Sequence, residues 1–315
     1  MERHPPRRRR PHLRLRGRDA PRGVRLHGGA GLPARLRGGH RGADPSHHHQ
    51  PRTRRAQAGA GPCLRARSAH SALQGLDDRD HRAGPLTWDA LGAFVAPPVV
   101  DRLRSYWRLL RDANRRTNLT RITAEEDFVA RHAYDALLGL EHLAPTEGPW
   151  VDVGAGGGVP GLVLAIAAPG REVVLVESVG KKAAFLTDAV RALGLAGQVR
   201  VLCERAEATG RGPLRERAGA ALARALGPLA TCLELTLPLV APGGRVLLYR
   251  GPTCAEEERA VAQRVAPRLG GGEPRWVDAR LPDGAARRLA VVPKVAATSA
   301  NYPRRVGVPA KRPLS

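Results

Sequence analysis

Sulfur is scarce in this chain. Its 315 residues include four cysteines, Cys63, Cys203, Cys232 and Cys254, and no two of them form a CxxC pair. That excludes the spacing of a zinc ribbon, and a disulfide framework is not expected in a chain this long. The thiols read as small buried residues in a reducing compartment. No metal site is expected; the His triplet at 47–49 has no partner cluster. No apolar run approaches the length of a membrane helix, so no membrane partner is expected. The N-terminus lacks the apolar core of a secretory signal. A transit peptide fits poorly with the length of the Arg-rich segment and its acidic residues. The expected address is cytoplasmic, and nothing in the sequence demands more than a monomer.

Lysine is absent from residues 1–85, which hold 20 arginines and six acidic residues. This segment carries +14 of the formal net charge of +23, leaving +9 on the remainder. A basic balance favours anionic partners, nucleic acid first. The first 85 residues are low in complexity, with runs such as Arg7-Arg8-Arg9-Arg10 and no sustained period. Large apolar residues there are too sparse to offset the entropy of ordering. The segment reads as a disordered tail or as upstream DNA translated from a wrongly chosen start; an RNA-binding arm is the alternative.

Order is expected from Leu86, with Thr87 as a helix N-cap and Asp89 in the first turn. Val100, Leu103, Trp107 and Leu110 fall on one face of a helix over about 98–114. Arg102, Arg104, Arg108 and Arg111 lie largely away from that stripe. A third helix is expected over 124–141. Residues 86–145 thus read as a small helical subdomain, 146–300 as the core and 301–315 as a basic tail.

From Trp150 the pattern changes. Short apolar runs at 150–153, 172–176, 199–202, 220–223, 244–249 and 288–292 alternate with helical stretches of crossover length. That rhythm predicts an α/β fold, a mostly parallel sheet with helices on both faces. In the helix after the second run, Ala183, Leu186, Val190 and Leu193 form the buried stripe, and Gly194 stops it.

The stretch Asp152-Val153-Gly154-Ala155-Gly156-Gly157-Gly158-Val159-Pro160-Gly161 ends a predicted strand and opens a predicted helix. Glycines there let the backbone turn sharply and approach a ligand. N–H groups near Val159 can receive a carboxylate. Glu177 follows Gly158 by 19 residues. A carboxylate placed so can accept from both hydroxyls of a ribose. Gly156, Gly158 and Gly161 also satisfy GxGxxG, which makes a dinucleotide the rival ligand. Asp152 tips the choice: it would repel a pyrophosphate but not the ammonium and sulfonium of S-adenosylmethionine.

The motifs taken in order resemble the RsmG (also called GidB) family, bacterial methyltransferases of 16S ribosomal RNA. The resemblance covers about residues 87–315. It rests on Asn118-Leu119-Thr120, then Arg131-His132 and Asp135, and on the glycine loop. It continues through Lys181-Lys182 with Phe185-Leu186, Arg205-Ala206-Glu207, Ala223-Arg224-Ala225 and Pro242-Gly243-Gly244. It ends on Tyr302-Pro303-Arg304-Arg305 through Gly307, Pro309, Lys311 and Pro313-Leu314. It implies a class I, Rossmann-like methyltransferase with a seven-stranded sheet and a helical N-terminal extension. It also implies methyl transfer from S-adenosylmethionine to N7 of one guanine, guanine 527 in the 530 loop. The partner would be 16S rRNA or a small-subunit assembly intermediate.

By the same resemblance, Gly154 and Val159 line the methionine end of the cofactor and Ala206 and Glu207 border its adenine. Arg224 faces cofactor and substrate. The sequence departs from the family at Ala155, Gly157 and Ala136, and at Arg250 where lysine is common.

Guanine N7 has a free lone pair, so alignment and electrostatics suffice without a strong base. The sequence lacks the Asn/Asp-Pro-Pro-aromatic motif that positions exocyclic amines. Its Pro62-Cys63 pair lies in the low-complexity front. Arg224 is the candidate catalytic residue, positioning the guanine or a neighbouring charge; a cofactor-side ion pair is the alternative. Lys181 and Lys182 open a helix, where cations oppose the dipole and phosphate would suit them. Arg250, Arg304, Arg305 and Lys311 complete the candidate RNA contacts. A methyltransferase of another RNA, a small molecule or a protein, an NAD-dependent oxidoreductase, and a non-enzymatic RNA-binding protein are the alternative readings.

Overall fold

The computed structural model describes residues 87–143, 145–251 and 255–315. The segment 1–85, its Arg and His runs, Cys63, Leu86 and Cys254 lie outside the described residues.

Thr87 caps helix α1 (Trp88–Leu91) as expected, its hydroxyl accepting from the Ala90 N–H at 3.3 Å. Helix α2 (Pro97–Asn114) buries Val100, Leu103, Trp107 and Leu110, the predicted stripe. Its arginines at 102, 108 and 111 are exposed. The expected third helix is not continuous. It runs as α3 (Glu125–Phe128), a π-helical stretch (Val129–Tyr134) and α4 (Asp135–Leu137), with α5 (Leu140–Leu143) after a break. Phe128 sits fully buried, its ring 5.0 Å from Trp107 and 5.7 Å from Tyr106.

The remaining elements alternate. They are β1 (Trp150–Val153), α6 (Gly161–Ala167), β2 (Val173–Val176), α7 (Gly180–Ala192), β3 (Val199–Leu202), α8 (Ala206–Thr209), β4 (Ala218–Arg224), α9 (Leu229–Thr236), β5 (Val240–Arg250), α10 (Ala255–Arg268), β6 (Arg275–Arg280), β7 (Ala286–Pro293) and α11 (Val308–Lys311). The seven strands stand in the order β3-β2-β1-β4-β5-β7-β6. The first five pair in parallel, and β7 and β6 are antiparallel. The six apolar runs all fall in strands. The seventh, β6, is an edge strand of half-buried and exposed residues, Arg-Trp-Val-Asp-Ala-Arg, which no apolar run marks.

β1 and β2 are buried along their whole length because both sheet faces are covered. Leu175, Leu222 and Leu247 point to one core with Leu103, Trp107, Leu162 and Leu186. Val151, Val174, Ala221 and Val246 point to the other, with Leu233 of α9 and Val265 of α10. The N-terminal helices therefore share one core with the sheet. Residues 301–315, read as a stiff basic tail, fold back onto the body. Arg215 donates to the carbonyls of Tyr302 (2.7 Å) and Thr298 (2.6 Å), Thr231 donates to that of Pro309 (2.8 Å), and Leu314 is buried.

Candidate active site

β1 feeds the glycine turn, Glu177 directly follows β2 and β4 ends at Arg224. These three carboxyl ends lie side by side where the strand order reverses about β1, the usual place for a ligand in an open α/β sheet. A cleft of about 240 Å³ opens there. Gly154, Ala155, Gly156, Gly157 and Val159 form its floor, with Glu177 and Lys182 on one side and Arg224 and Ala225 on another. Leu110, Leu119, Thr120 and His132 close it from the N-terminal helices.

The glycine turn is held from three directions. Glu177 accepts from the Gly156 N–H at 2.9 Å and from the Val179 N–H at 2.7 Å. Tyr106 of α2 donates to the Gly157 carbonyl at 2.5 Å. Asp152 accepts from the Gly161 N–H at 2.8 Å and so anchors the start of α6. Gly156 has φ +57, and a Cβ there would meet nothing nearer than 3.8 Å, so the turn leaves space beside it. Gly161 is needed for the opposite reason: a Cβ would lie 2.5 Å from Asp152 Oδ2 and from a Leu175 methyl.

Arg224 is the junction of the site. Its Nε stands 3.4 Å from Asp135 Oδ2, and its Nη2 donates to the Arg131 carbonyl at 2.9 Å. The same Nη2 is 3.3 Å from His132 Nδ1, while His132 Nε2 is 2.8 Å from the Thr120 hydroxyl. Asp135 also pairs with Arg287 at 3.1 Å, so two guanidinium groups surround one buried carboxylate. Burial raises the Asp135 carboxyl, against the pull of Arg224 and Arg287. Burial and the Arg224 charge lower the His132 imidazole to about 4, which keeps it neutral at physiological pH.

Two buried polar atoms here lack a partner: Asp152 Oδ1 and Arg224 Nη1. Burial lifts Asp152 to about 7. An open glycine floor, the Glu177 carboxylate on the cleft wall and an unpaired guanidinium N–H fit a ligand of nucleoside and amino-acid character.

A family model described as rRNA small subunit methyltransferase G, GidB, matches residues 100–269. The chain belongs to that family. The ribosomal RNA small subunit methyltransferase G of Roseiflexus sp. (strain RS-1) is 44% identical over 229 residues, covering 71% of this chain and 96% of the relative. That of Moorella thermoacetica is 39% identical over 242 residues, covering 76% of this chain and 100% of the relative. A solved structure, cofactor-bound Rv0187 from MTB, is 16% identical at TM-score 0.45 and covers 68% of this chain and 99% of that one. Membership of the GidB family makes this chain an enzyme that methylates N7 of a guanine in 16S rRNA, with S-adenosylmethionine as donor.

Of the residues expected at the cofactor, Gly154, Gly156, Val159, Glu177 and Arg224 line the cleft. Asp152 and Gly158 lie buried beneath the turn, not on the wall. Ala206 and Glu207 are not among the lining residues, and Glu207 accepts from the Gly307 N–H at 2.8 Å. Of the residues expected at RNA, Lys182 lines the cleft and Lys181 is exposed beside it, while Arg305 and Lys311 are exposed on the C-terminal segment.

Arg250 and Arg304 are placed otherwise. Arg250 pairs with Glu258 and donates to the Gly227 carbonyl. Arg304 makes a two-pronged pair with the fully buried Glu234, at 2.8 and 2.6 Å. Both guanidinium groups are spent inside the fold. Cys232 is buried as expected, but Cys203 is exposed.

In the sequence, Thr120 and His132 stand out only by their place in family motifs. No periodicity links positions 120, 132 and 224, which the π-helical turn and the end of β4 bring together.

Proposed function

We propose that the cleft at the ends of β1, β2 and β4 is where methyl donor and guanine meet, and that Arg224 positions the base. The carrying observation is the Arg224 Nη1, buried at the cleft with no partner of its own. S-adenosylmethionine supplies, when bound, a methyl on a cationic sulfur that a lone pair can take directly. Gly154, Gly156 and Val159 would hold it along the turn, and Glu177 would meet its ribose with the lone pairs left by two backbone bonds.

The chain's own groups then have to orient the base and keep its N7 open. A guanine presents N7 and O6 side by side as acceptors. A guanidinium N–H given to O6 steers the base and leaves the N7 lone pair free. Asp135 and the Arg131 carbonyl fix the plane of Arg224 beforehand, so little reorganisation is needed at the moment of transfer. The neutral His132 buttresses that plane from its other side.

The test maps N7-methylguanine in 16S rRNA from cells with and without this gene, beside calorimetric titration of the purified enzyme with S-adenosylhomocysteine. Loss of one modified guanine in the deletion strain, with saturable binding in vitro, is the expected pair of results. Unchanged methylation would sink the assignment.

A further inference from the structure

We infer that the rRNA backbone is gripped by the loop that follows α2, through Arg115, Arg116 and Arg121. The inference rests on the rRNA-methylating reading above and names the surface that serves it.

The loop is braced. Asn114, the last residue of α2, accepts from the N–H groups of Leu119 (2.8 Å) and Thr120 (3.0 Å) and donates to the Thr120 carbonyl (2.9 Å). One side chain thus pins the ends of the segment together. Its inward residues, Leu119 and Thr120, form part of the cleft wall. Arg115, Arg116 and Arg121 are exposed, and none of their side chains makes an ion pair or hydrogen bond among the described residues.

Not every cation shares that freedom. Arg104, Arg111, Arg131 and Arg191 each have an aspartate within 4.0 Å. Arg250 and Arg304 are consumed by internal carboxylates. Three guanidinium groups with no side-chain partner among the described residues stand on one short braced loop, and phosphates would offset their like charges. Lys182 lines the same cleft from the first turn of α7, with Lys181 exposed beside it. Cations thus stand at two borders of the cleft proposed to receive the guanine. The chemistry that fits is the sugar-phosphate strand on either side of that base. Arginine suits it because its planar fork matches phosphate oxygens.

The test uses the full chain carrying Arg115→Ala, Arg116→Ala and Arg121→Ala together, with small-subunit RNA as substrate. Losing three phosphate contacts should raise the KM for RNA at least about tenfold and lower the slope of log affinity against log salt by about 2 to 3. The kcat and the affinity for S-adenosylhomocysteine should stay within about twofold, because no cofactor group is touched. Replacing the same three residues by lysine should recover most of the KM, since the charge is kept. Asn114→Ala, which frees the loop without changing charge, should raise KM with the salt slope preserved.

A triple alanine variant with unchanged KM and slope, beside a wild type that methylates, overturns this inference alone. A wild type that makes no N7-methylguanine overturns the functional reading and this inference with it. Loss of S-adenosylhomocysteine binding in the triple variant also overturns it, because the arginines would then be holding the fold.

Discussion

Arg224 shows how one side chain draws its meaning from neighbours that are remote in sequence. Asp135 compensates its charge, the Arg131 carbonyl fixes its orientation and His132 packs beside it. The His132 ring carries a titration signature of its own. Burial holds the folded imidazole near pH 4, whereas the unfolded chain takes up its proton near 6.5. Acid therefore favours the unfolded chain. This contribution is complete above pH 6.5 and is lost as pH falls toward 4. The unfolding free energy of wild type minus that of His132→Gln should shrink across this window by on the order of 3 kcal/mol. Denaturant melts of both proteins at several pH values check it, and a difference that stays flat rules it out. Asp152 pulls the other way in wild type, because a carboxyl raised to about 7 loses stability as pH rises through that value. Taking the difference between two proteins that share Asp152 removes its effect.

Among the elements, the turn from β1 into α6 is the most tightly specified. Asp152 reaches forward to the Gly161 N–H, Glu177 reaches across from β2 to Gly156, and Tyr106 comes from α2 to Gly157. Three elements thus clamp a stretch with almost no side chains of its own. Gly161→Ala should be disproportionately damaging, since its methyl would press on the Asp152 carboxylate and Leu175. A loss of about 1–3 kcal/mol in urea-derived stability is expected from such overpacking, with S-adenosylhomocysteine affinity falling as the turn shifts. Wild-type stability in the alanine variant would show that the turn gives way more easily than its contacts suggest. The π-helical stretch 129–134 is a second element bordering the cleft. Its wide turn presents the Arg131 carbonyl and the His132 ring to Arg224 from consecutive positions, in a geometry that often marks working sites.

Across the whole molecule, the C-terminal segment works as a strap. Arg304 meets Glu234 of α9, Arg211 donates to the Pro303 carbonyl at 2.8 Å, and the Gly307 N–H meets Glu207 of α8. Arg304→Ala would leave Glu234 buried and unpaired, and a loss of about 3–5 kcal/mol is expected. RNA affinity extrapolated to the folded fraction should hardly move. Thermal melts beside filter-binding titrations separate the two effects. A stable variant with weakened RNA binding would return Arg304 to the nucleic-acid surface. The formal charge of +23 is distributed in the same spirit. Part of the basic content ties elements together, and only a part is free to meet an anion.

The sequence alone determined what depends on neighbours along the chain. Strand-length apolar runs, the α2 stripe, the Thr87 cap and the glycine turn were legible because period and turn chemistry are local properties. The order and spacing of the motifs were enough to point to the family. β6 escaped because an edge strand with polar residues on both sides carries no apolar run. The π-helical break in 124–141 escaped because it answers to Arg224 and Asp135, not to helical propensity. Tertiary structure alone decided which charges are free. A cation's availability depends on whether a carboxylate lies within reach, as Glu234 does for Arg304 and as none among the described residues does for Arg115, Arg116 and Arg121. That reach is a distance in space, and the separation of 70 residues between Arg304 and Glu234 holds no trace of it.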